Sequence, residues 1–273
     1  MSKEQQARFH FIEVFAKWLG RVNASHIMAY FDLSRQAASR TITQYMAKYP
    51  ENLIYNESLK GFLPTSQFSA KTSVGAFSEY QQITRVNQSK YLASIEHIEL
   101  PNREPEPKLV QPILRAINEK LAIDIGYLSL SNPHYLDRII EPHSLVFDGL
   151  RYHVRAFCHK NNDYRDFVLS RFNGELNDEF KATHGAQDDR LWHTQLEVVI
   201  MADSRLSPAQ KRVIELDYQM KNGTSTIKTT AALVQYTLKR LHLDAYQTQA
   251  EAQQIILTPE CLRAISPYLP KPA

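Results

Sequence analysis

Asp148-Gly149 sits between two strand-like runs, residues 144–147 and 150–158. A pair of this kind predicts a hairpin, because glycine enters φ > 0 freely and the primed turns it permits match the twist of the flanking strands. The run Lys160-Asn161-Asn162-Asp163 supplies a second turn before residues 164–172. Side chains alternate along such strands. Leu150, Tyr152, Val154, Ala156 and Cys158 therefore share one side of the middle strand, and Arg151, His153, Arg155 and Phe157 share the other. Arg165, Phe167, Leu169 and Arg171 share a side of the last. A small half-polar barrel carrying several arginines has the chemistry to hold an anion.

Residues 1–65 read as helix, helix, helix, hairpin. Phe9, Ile12, Phe15, Ala16 and Leu19 recur at helical spacing and Gly20 stands where that helix stops. Asn23 is placed to cap a short helix over 24–31, and Ser34 a third running to about Tyr49. Ala38, Ile42 and Tyr45 mark the buried face of the third helix; Arg35, Gln36, Ser39, Arg40 and Thr43 lie opposite. Residues 53–55 and 61–63 flank a turn and predict a hairpin carrying Lys60. Two helices, a tight break, a third helix and a hairpin make a winged helix-turn-helix. Arg and Gln are able to read guanine and adenine edges in the major groove, and Ser and Thr suit phosphates. This segment holds eight basic and five acidic residues, so the formal excess of the whole chain, +3, equals that of its first 65 residues. The plainer alternative is a helical bundle with a solvated polar face.

Residues 66–108 read as a connector, with a helical stretch over 77–91 and Pro101, Pro105 and Pro107 at a domain edge. Glu96, Glu99, Glu104 and Glu106 are most simply a solvated acidic linker. A helix over 109–121 and a strand over 122–130 lead into the hairpins, and the polar residues 173–190 read as a surface connection. Residues 191–273 predict a β-α-β-α-β unit: an alternating strand through Leu196, Val198 and Ile200, a capping box at Ser207–Gln210 opening a helix, a Thr-rich strand over 224–232, a helix over 234–241 and a strand over 253–257.

Catalysis finds no support. There is no phosphate loop of the G-x-x-x-x-G-K-[ST] kind and no G-x-S-x-G elbow. Ten histidines, among them His134, His143, His153, His159, His184 and His193, fall in no zinc-ligand spacing, so neither metal nor cofactor is expected. The two cysteines, Cys158 and Cys261, make no disulfide framework. No apolar run approaches a membrane span and no secretory layout opens the chain, which predicts a cytoplasmic protein without a membrane partner.

The order Ile140-Glu141-Pro142-His143-Ser144-Leu145, then Val154-Arg155-Ala156, then Arg165-Asp166-Phe167-Val168-Leu169-Ser170-Arg171-Phe172 resembles the WYL domain of bacterial transcription regulators. The signature triplet reads Arg151-Tyr152-His153, keeping only the tyrosine. The resemblance implies an α+β, multidomain chain: a winged helix-turn-helix (1–65), a helical connector (66–108), an SH3-like or Sm-like β-barrel (109–190) and a small α/β domain for homodimerisation (191–273). It is closest to the compact regulators beside antiphage defence operons such as BREX and CBASS. It implies a repressor on an inverted-repeat operator, with the third-helix face of Arg35, Gln36, Ser39, Arg40 and Thr43 against the DNA and Lys48, Lys60 and Arg21 on phosphates. A nucleotide or nucleic-acid effector would be held by Ser129, His143, Tyr152, Arg155, Arg165 and Arg171. Two other readings stand beside it: an activator responding to single-stranded DNA, and an RNA-binding or accessory enzyme module.

Overall fold

The computed structural model describes residues 1–86, 98, 101, 103–130, 133 and 136–269, in two compact units, 1–100 and 101–273. Residues 87–91 of the expected helix, Glu96, Glu99 and His134 lie outside the described residues.

The first unit comprises α1 (Lys3–Leu19), α2 (Ala24–Phe31), α3 (Arg35–Lys48), β1 (Leu53–Asn56), β2 (Gly61–Pro64) and α4 (Phe77–Val86). Its boundaries follow from local chemistry. The Asn23 side chain accepts from the His26 amide and the Ser34 hydroxyl from the Ala37 amide, each satisfying a donor that the first helical turn leaves orphaned. Gly20 (φ 73°) takes the left-handed conformation that ends α1. β1 and β2 pair from Leu53↔Pro64 to Asn56↔Gly61, and a bridge from Val22 to Phe62 ties the wing to the α1–α2 junction. Phe9, Phe11, Ile12, Phe15, Ile27, Ala38, Ile42 and Tyr45 form the core, joined by Tyr80 and Ile83 of α4.

The second unit opens with α5 (Pro107–Glu119), β3 (Leu121–Tyr127), β4 (Leu136–Phe147), β5 (Tyr152–Cys158), β6 (Asp163–Val168) and β7 (Phe172–Lys181), followed by α6 (Arg190–His193). The strands form one antiparallel sheet in the order β6-β5-β4-β3-β7. This departs from the expected closed barrel: among the described residues no ladder joins β6 to β7, and the sheet is open. It is nonetheless rolled. A three-residue 3₁₀ turn, Leu169–Arg171, links the two edge strands, a reach of at most about 14 Å, whereas four flat inter-strand gaps span about 19 Å. The roll brings the Val168 amide to the Tyr127 hydroxyl at 3.0 Å. Leu109, Ile113 and Ala116 of α5 fill the concave side against Ile125, Ile140, Val154, Ala156 and Phe167.

Three further expectations are corrected here. Residues 172–181 are a strand rather than a surface connection; β7 is an edge strand whose Asn173, Asn177, Glu179 and Phe180 are exposed, so it lacks apolar alternation. The Asp148-Gly149 turn is longer than two residues: β5 begins at Tyr152, and the Asp148 carboxylate accepts from the Leu150 and Arg151 amides at 2.8 and 2.9 Å. The strand expected through 130 ends at Tyr127, leaving Ser129 beyond it.

The chain closes with β8 (Gln195–Ala202), α7 (Pro208–Asp217), β9 (Thr224–Thr230), α8 (Val234–Arg240), α9 (Ala250–Gln253), β10 (Ile255–Leu257) and α10 (Pro259–Ile265). The sheet order is β10-β8-β9, antiparallel throughout, and the capping box at Ser207 and Gln210 forms as the sequence predicts. No helix among the described residues is long and apolar enough to cross a membrane.

Candidate functional site

α3 presents a continuous polar face. Arg35, Gln36, Ser39, Arg40, Thr43 and Lys48 are all exposed, while Ala38, Thr41, Ile42 and Tyr45 are buried on the opposite side. Thr43 returns its hydroxyl to the Ser39 carbonyl at 3.2 Å. Arg35, Gln36 and Arg40 have no side-chain partner among the described residues. Gln44 lies on the same exposed face, four residues beyond Arg40, where the helical period alone places it, and joins the expected set. Lys60 is exposed in the wing turn. Arg21 is half-buried and donates to the Leu59 carbonyl at 3.2 Å, bracing that turn.

What fixes α3 is buried. The Glu13 carboxylate, fully buried on α1, accepts the Tyr45 hydroxyl at 3.1 Å and the amides of Lys71, Thr72 and Ser73 at 2.7–2.9 Å. Asn52 donates to Tyr45 Oη at 2.7 Å and to the Ser69 carbonyl at 3.0 Å. Burial, and then the Glu13 charge, push the Tyr45 phenol well above its ordinary range, so it remains a donor. One network thus ties α1, α3, the start of the wing and the 66–73 loop, part of the expected connector.

In the second unit the expected effector residues do not form one cluster. Pairing of β4 with β5 slips between Pro142 and Ser144, and the extra residue, His143, is turned so that its Nε2 lies 3.4 Å from Asp189 Oδ2. Arg155 grips the same carboxylate through Nε and Nη2 at 2.7 and 3.2 Å, with Asp166 at 3.5 Å. Asp189 is the N-cap of α6, so this pair fastens α6 to the outer face of the sheet. Burial works against both charges, but the bond and charge of Arg155 outweigh it and hold the Asp189 carboxyl below its usual range. Arg155 is therefore committed to carboxylates rather than presented to an open pocket. Tyr152 lies on the other face, lining a cleft of about 370 Å³ with Pro105, Val110, Leu145 and Leu169. Arg165 is exposed on edge strand β6 and 3.3 Å from Asp163. Arg171 is half-buried in the 3₁₀ turn, and Ser129 is half-buried past β3.

Three family models match this chain in order: the BrxR transcriptional regulator winged helix-turn-helix domain over residues 4–86, the WYL domain over 108–174, and the BrxR transcriptional regulator C-terminal dimerization domain over 195–264. The DNA-binding transcriptional repressor CapW of Escherichia coli (strain KTE188) is 32% identical over 268 residues, covering 93% of this chain and 88% of that protein. The chain belongs to the CapW family. CapW of Pseudomonas aeruginosa is 31% identical over the same share of each chain. Among solved structures, proteasome accessory factor B/C of Arthrobacter aurescens is a distant likeness: 13% identity, 98% of this chain, 48% of that chain and a TM-score of 0.31. The winged-helix match extends to residue 86, taking in the loop that embraces Glu13 and helix α4.

Proposed function

We propose that the chain is a homodimeric repressor of an antiphage defence operon, released from its operator by a nucleotide or nucleic-acid effector. One observation carries the DNA-binding half: a face of α3 bearing two arginines and a glutamine without internal partners, on a helix whose other side is locked by buried hydrogen bonds. Groups left free on a rigid scaffold are preorganised for base edges. Two such helices, one from each protomer, enter successive major grooves about 34 Å apart on an inverted repeat. The face of Arg35, Gln36, Ser39, Arg40 and Thr43 lies against the groove, its arginines and glutamine on base edges, and Lys48, Lys60 and Arg21 track phosphates. Effector binding at the WYL domain shifts the dimer between a state whose heads fit the operator and one whose heads do not; only differential affinity for the two states achieves this. In this reading His143 and Arg155 hold Asp189 and α6 in place, Tyr152 offers a ring at its cleft, and Arg171 in the 3₁₀ turn and Arg165 on the edge strand are the expected cations nearest to solvent, with Ser129 past the end of β3.

The test is operator binding by Arg40→Ala in a gel-shift or anisotropy titration. A base contact of this kind is worth about 1–3 kcal/mol, so affinity falls by about tenfold or more, with relaxed preference at one base pair. Wild-type affinity in that variant would remove α3 from the groove.

A further inference from the structure

Where the β4–β5 turn meets the end of α8, two adjoining cavities of about 420 and 370 Å³ share Asp148, Tyr236 and Arg240 in their walls. Three cations converge there from two elements: Arg151 from the turn, and Lys239 and Arg240 from the last turn of α8. The lining holds one carboxylate, Asp148, and it is already engaged. It accepts the amides of Leu150 and Arg151 at 2.8 and 2.9 Å and His153 Nε2 at 2.7 Å. Arg151 reaches it only through Nε, at 3.4 Å. Lys239 and Arg240 are exposed and have no side-chain partner among the described residues. Gly149 (φ 97°) lets the turn press close: a Cβ there would lie 3.3 Å from Arg240 Nε.

Cations in a last helical turn also complement the carbonyl end of the helix. That contribution asks for neither an arginine from a separate turn nor an exposed aromatic ring beside it. Phe147 supplies such a ring. It is 53% exposed in the cavity wall, 4.7 Å from the ring of Tyr152. An aromatic ring that shares a cavity wall with Arg240, beside a second cavity lined by Lys239 and by Arg151 with its Nη atoms uncommitted, is an arrangement able to stack a base and hold its phosphate.

We propose that this cleft binds a phosphorylated nucleobase compound, with Phe147 against the base and Arg151, Lys239 and Arg240 on the phosphate. The proposal rests on the effector reading above and gives that effector a seat and a chemical class, either a free nucleotide or the end of a short single strand. None of these four residues belongs to the set the sequence assigned to the ligand. The position bears on regulation, because a ligand here bridges the WYL sheet and the dimerisation domain. It thereby biases their relative placement in whichever state brings the two cation sets closest.

The experiment uses full-length protein and a dye-labelled, 5′-phosphorylated short oligothymidylate followed by anisotropy, with competition by thymidine and deoxyadenosine monophosphates. Wild type binds the probe. The Lys239→Ala/Arg240→Ala double variant loses about tenfold or more of that affinity, and its log–log salt slope shallows by roughly 0.7 for the one phosphate released. Phe147→Ala weakens the probe while leaving the salt slope unchanged. Displacement by mononucleotide identifies a free nucleotide as the ligand class, and displacement by oligomer alone identifies a strand end. Undiminished probe binding by the double variant, or no binding of either probe class by wild type, overturns the proposal. Operator affinity measured without probe separates the two readings. It stays at the wild-type value in the double variant, whereas a wild type that ignores its operator sinks the DNA-binding reading and leaves the probe result standing. Should the double variant fail to fold, Arg240→Gln, at an exposed position, carries the same test.

Discussion

The Tyr45 hydroxyl donates to the Glu13 carboxylate at 3.1 Å across the buried junction of α3 and α1. Those two groups sit 32 residues apart in sequence and set the angle at which the proposed reading face leaves the domain. Glu13 also gathers three consecutive backbone amides, 71–73. Glu13→Ala strands those amides in the interior, where each unsatisfied donor costs about 1–3 kcal/mol. We expect a loss of about 3 kcal/mol or more in denaturant unfolding of the first unit. Tyr45→Phe, which leaves Asn52 bonded to the Ser69 carbonyl, costs about 1 kcal/mol. Equal stability of the Glu13 variant would mean the loop does not close over α1 in solution.

Lys60 and Arg40 are both exposed cations, but they occupy different structural settings: Lys60 in the wing turn (φ 47°), Arg40 mid-helix on the face opposite Ala38 and Ile42. In the proposed complex the first neutralises phosphate and the second reads a base. Lys60→Ala should therefore weaken operator and scrambled duplex alike and shallow the log–log salt slope by about 1.8, one phosphate contact being lost from each protomer of the dimer. The wild-type slope is expected near −5 for about six phosphate contacts. Titrations at several salt concentrations check this; a Lys60 variant that lost discrimination but kept its slope would exchange the two roles.

The parts legible in the sequence are those decided within a few residues. Asn23, Ser34 and Ser207 cap the helices they precede because a cap needs only an oxygen three residues before its donor. The polar face of α3 follows from period alone. Contacts made by folding at a distance were not legible. Asp189, which takes up Arg155, is 34 residues further along, and nothing in the pair Asp188-Asp189 before Arg190-Leu191-Trp192 marks the second as that partner. The open, rolled sheet escaped for a related reason. Alternation shows which side of a strand faces inward, whereas closure depends on register and on where an edge strand such as β7 attaches. β7 itself, polar and at an edge, has no burial to impose a pattern.

His26 is 4% exposed and packs on Phe15 at 5.3 Å. Burial, and then the charge of Arg21, depress its pKa from 6.5 to about 4. Above pH 6.5 the ring is neutral in both folded and unfolded chains and contributes no pH dependence. Between 6.5 and 4 the unfolded chain binds the proton first, so stability falls as pH falls. The full penalty, at most about 3 kcal/mol, is in place below pH 4. Protection factors of amides over 22–48, which correct for the slower intrinsic exchange in acid, should fall across that window in wild type and show a flatter response in His26→Leu. Parallel profiles for the two proteins would place the acid sensitivity elsewhere.

Val213 and Leu216 stand one turn apart on α7, 57% and 78% exposed, while Ile214 between them is buried in the C-terminal core. Two large aliphatic side chains held out to water on one turn gain by burial against a second protomer, at roughly 1.5–3 kcal/mol for each side chain fully covered, and the segment matches a dimerization domain. Leu216→Glu places a charge in that contact on each side of the symmetry axis, doubling its effect. Sedimentation velocity should show wild type as a dimer and the variant shifted to monomer. Operator affinity should fall further than in Arg40→Ala, because one protomer grips a single half-site and forfeits the effective concentration of the second. Thermal unfolding of the monomeric variant should retain the transition of the C-terminal core, since Leu216 contributes nothing to its buried set. A Leu216→Glu protein that still sediments as a dimer would move the interface off α7.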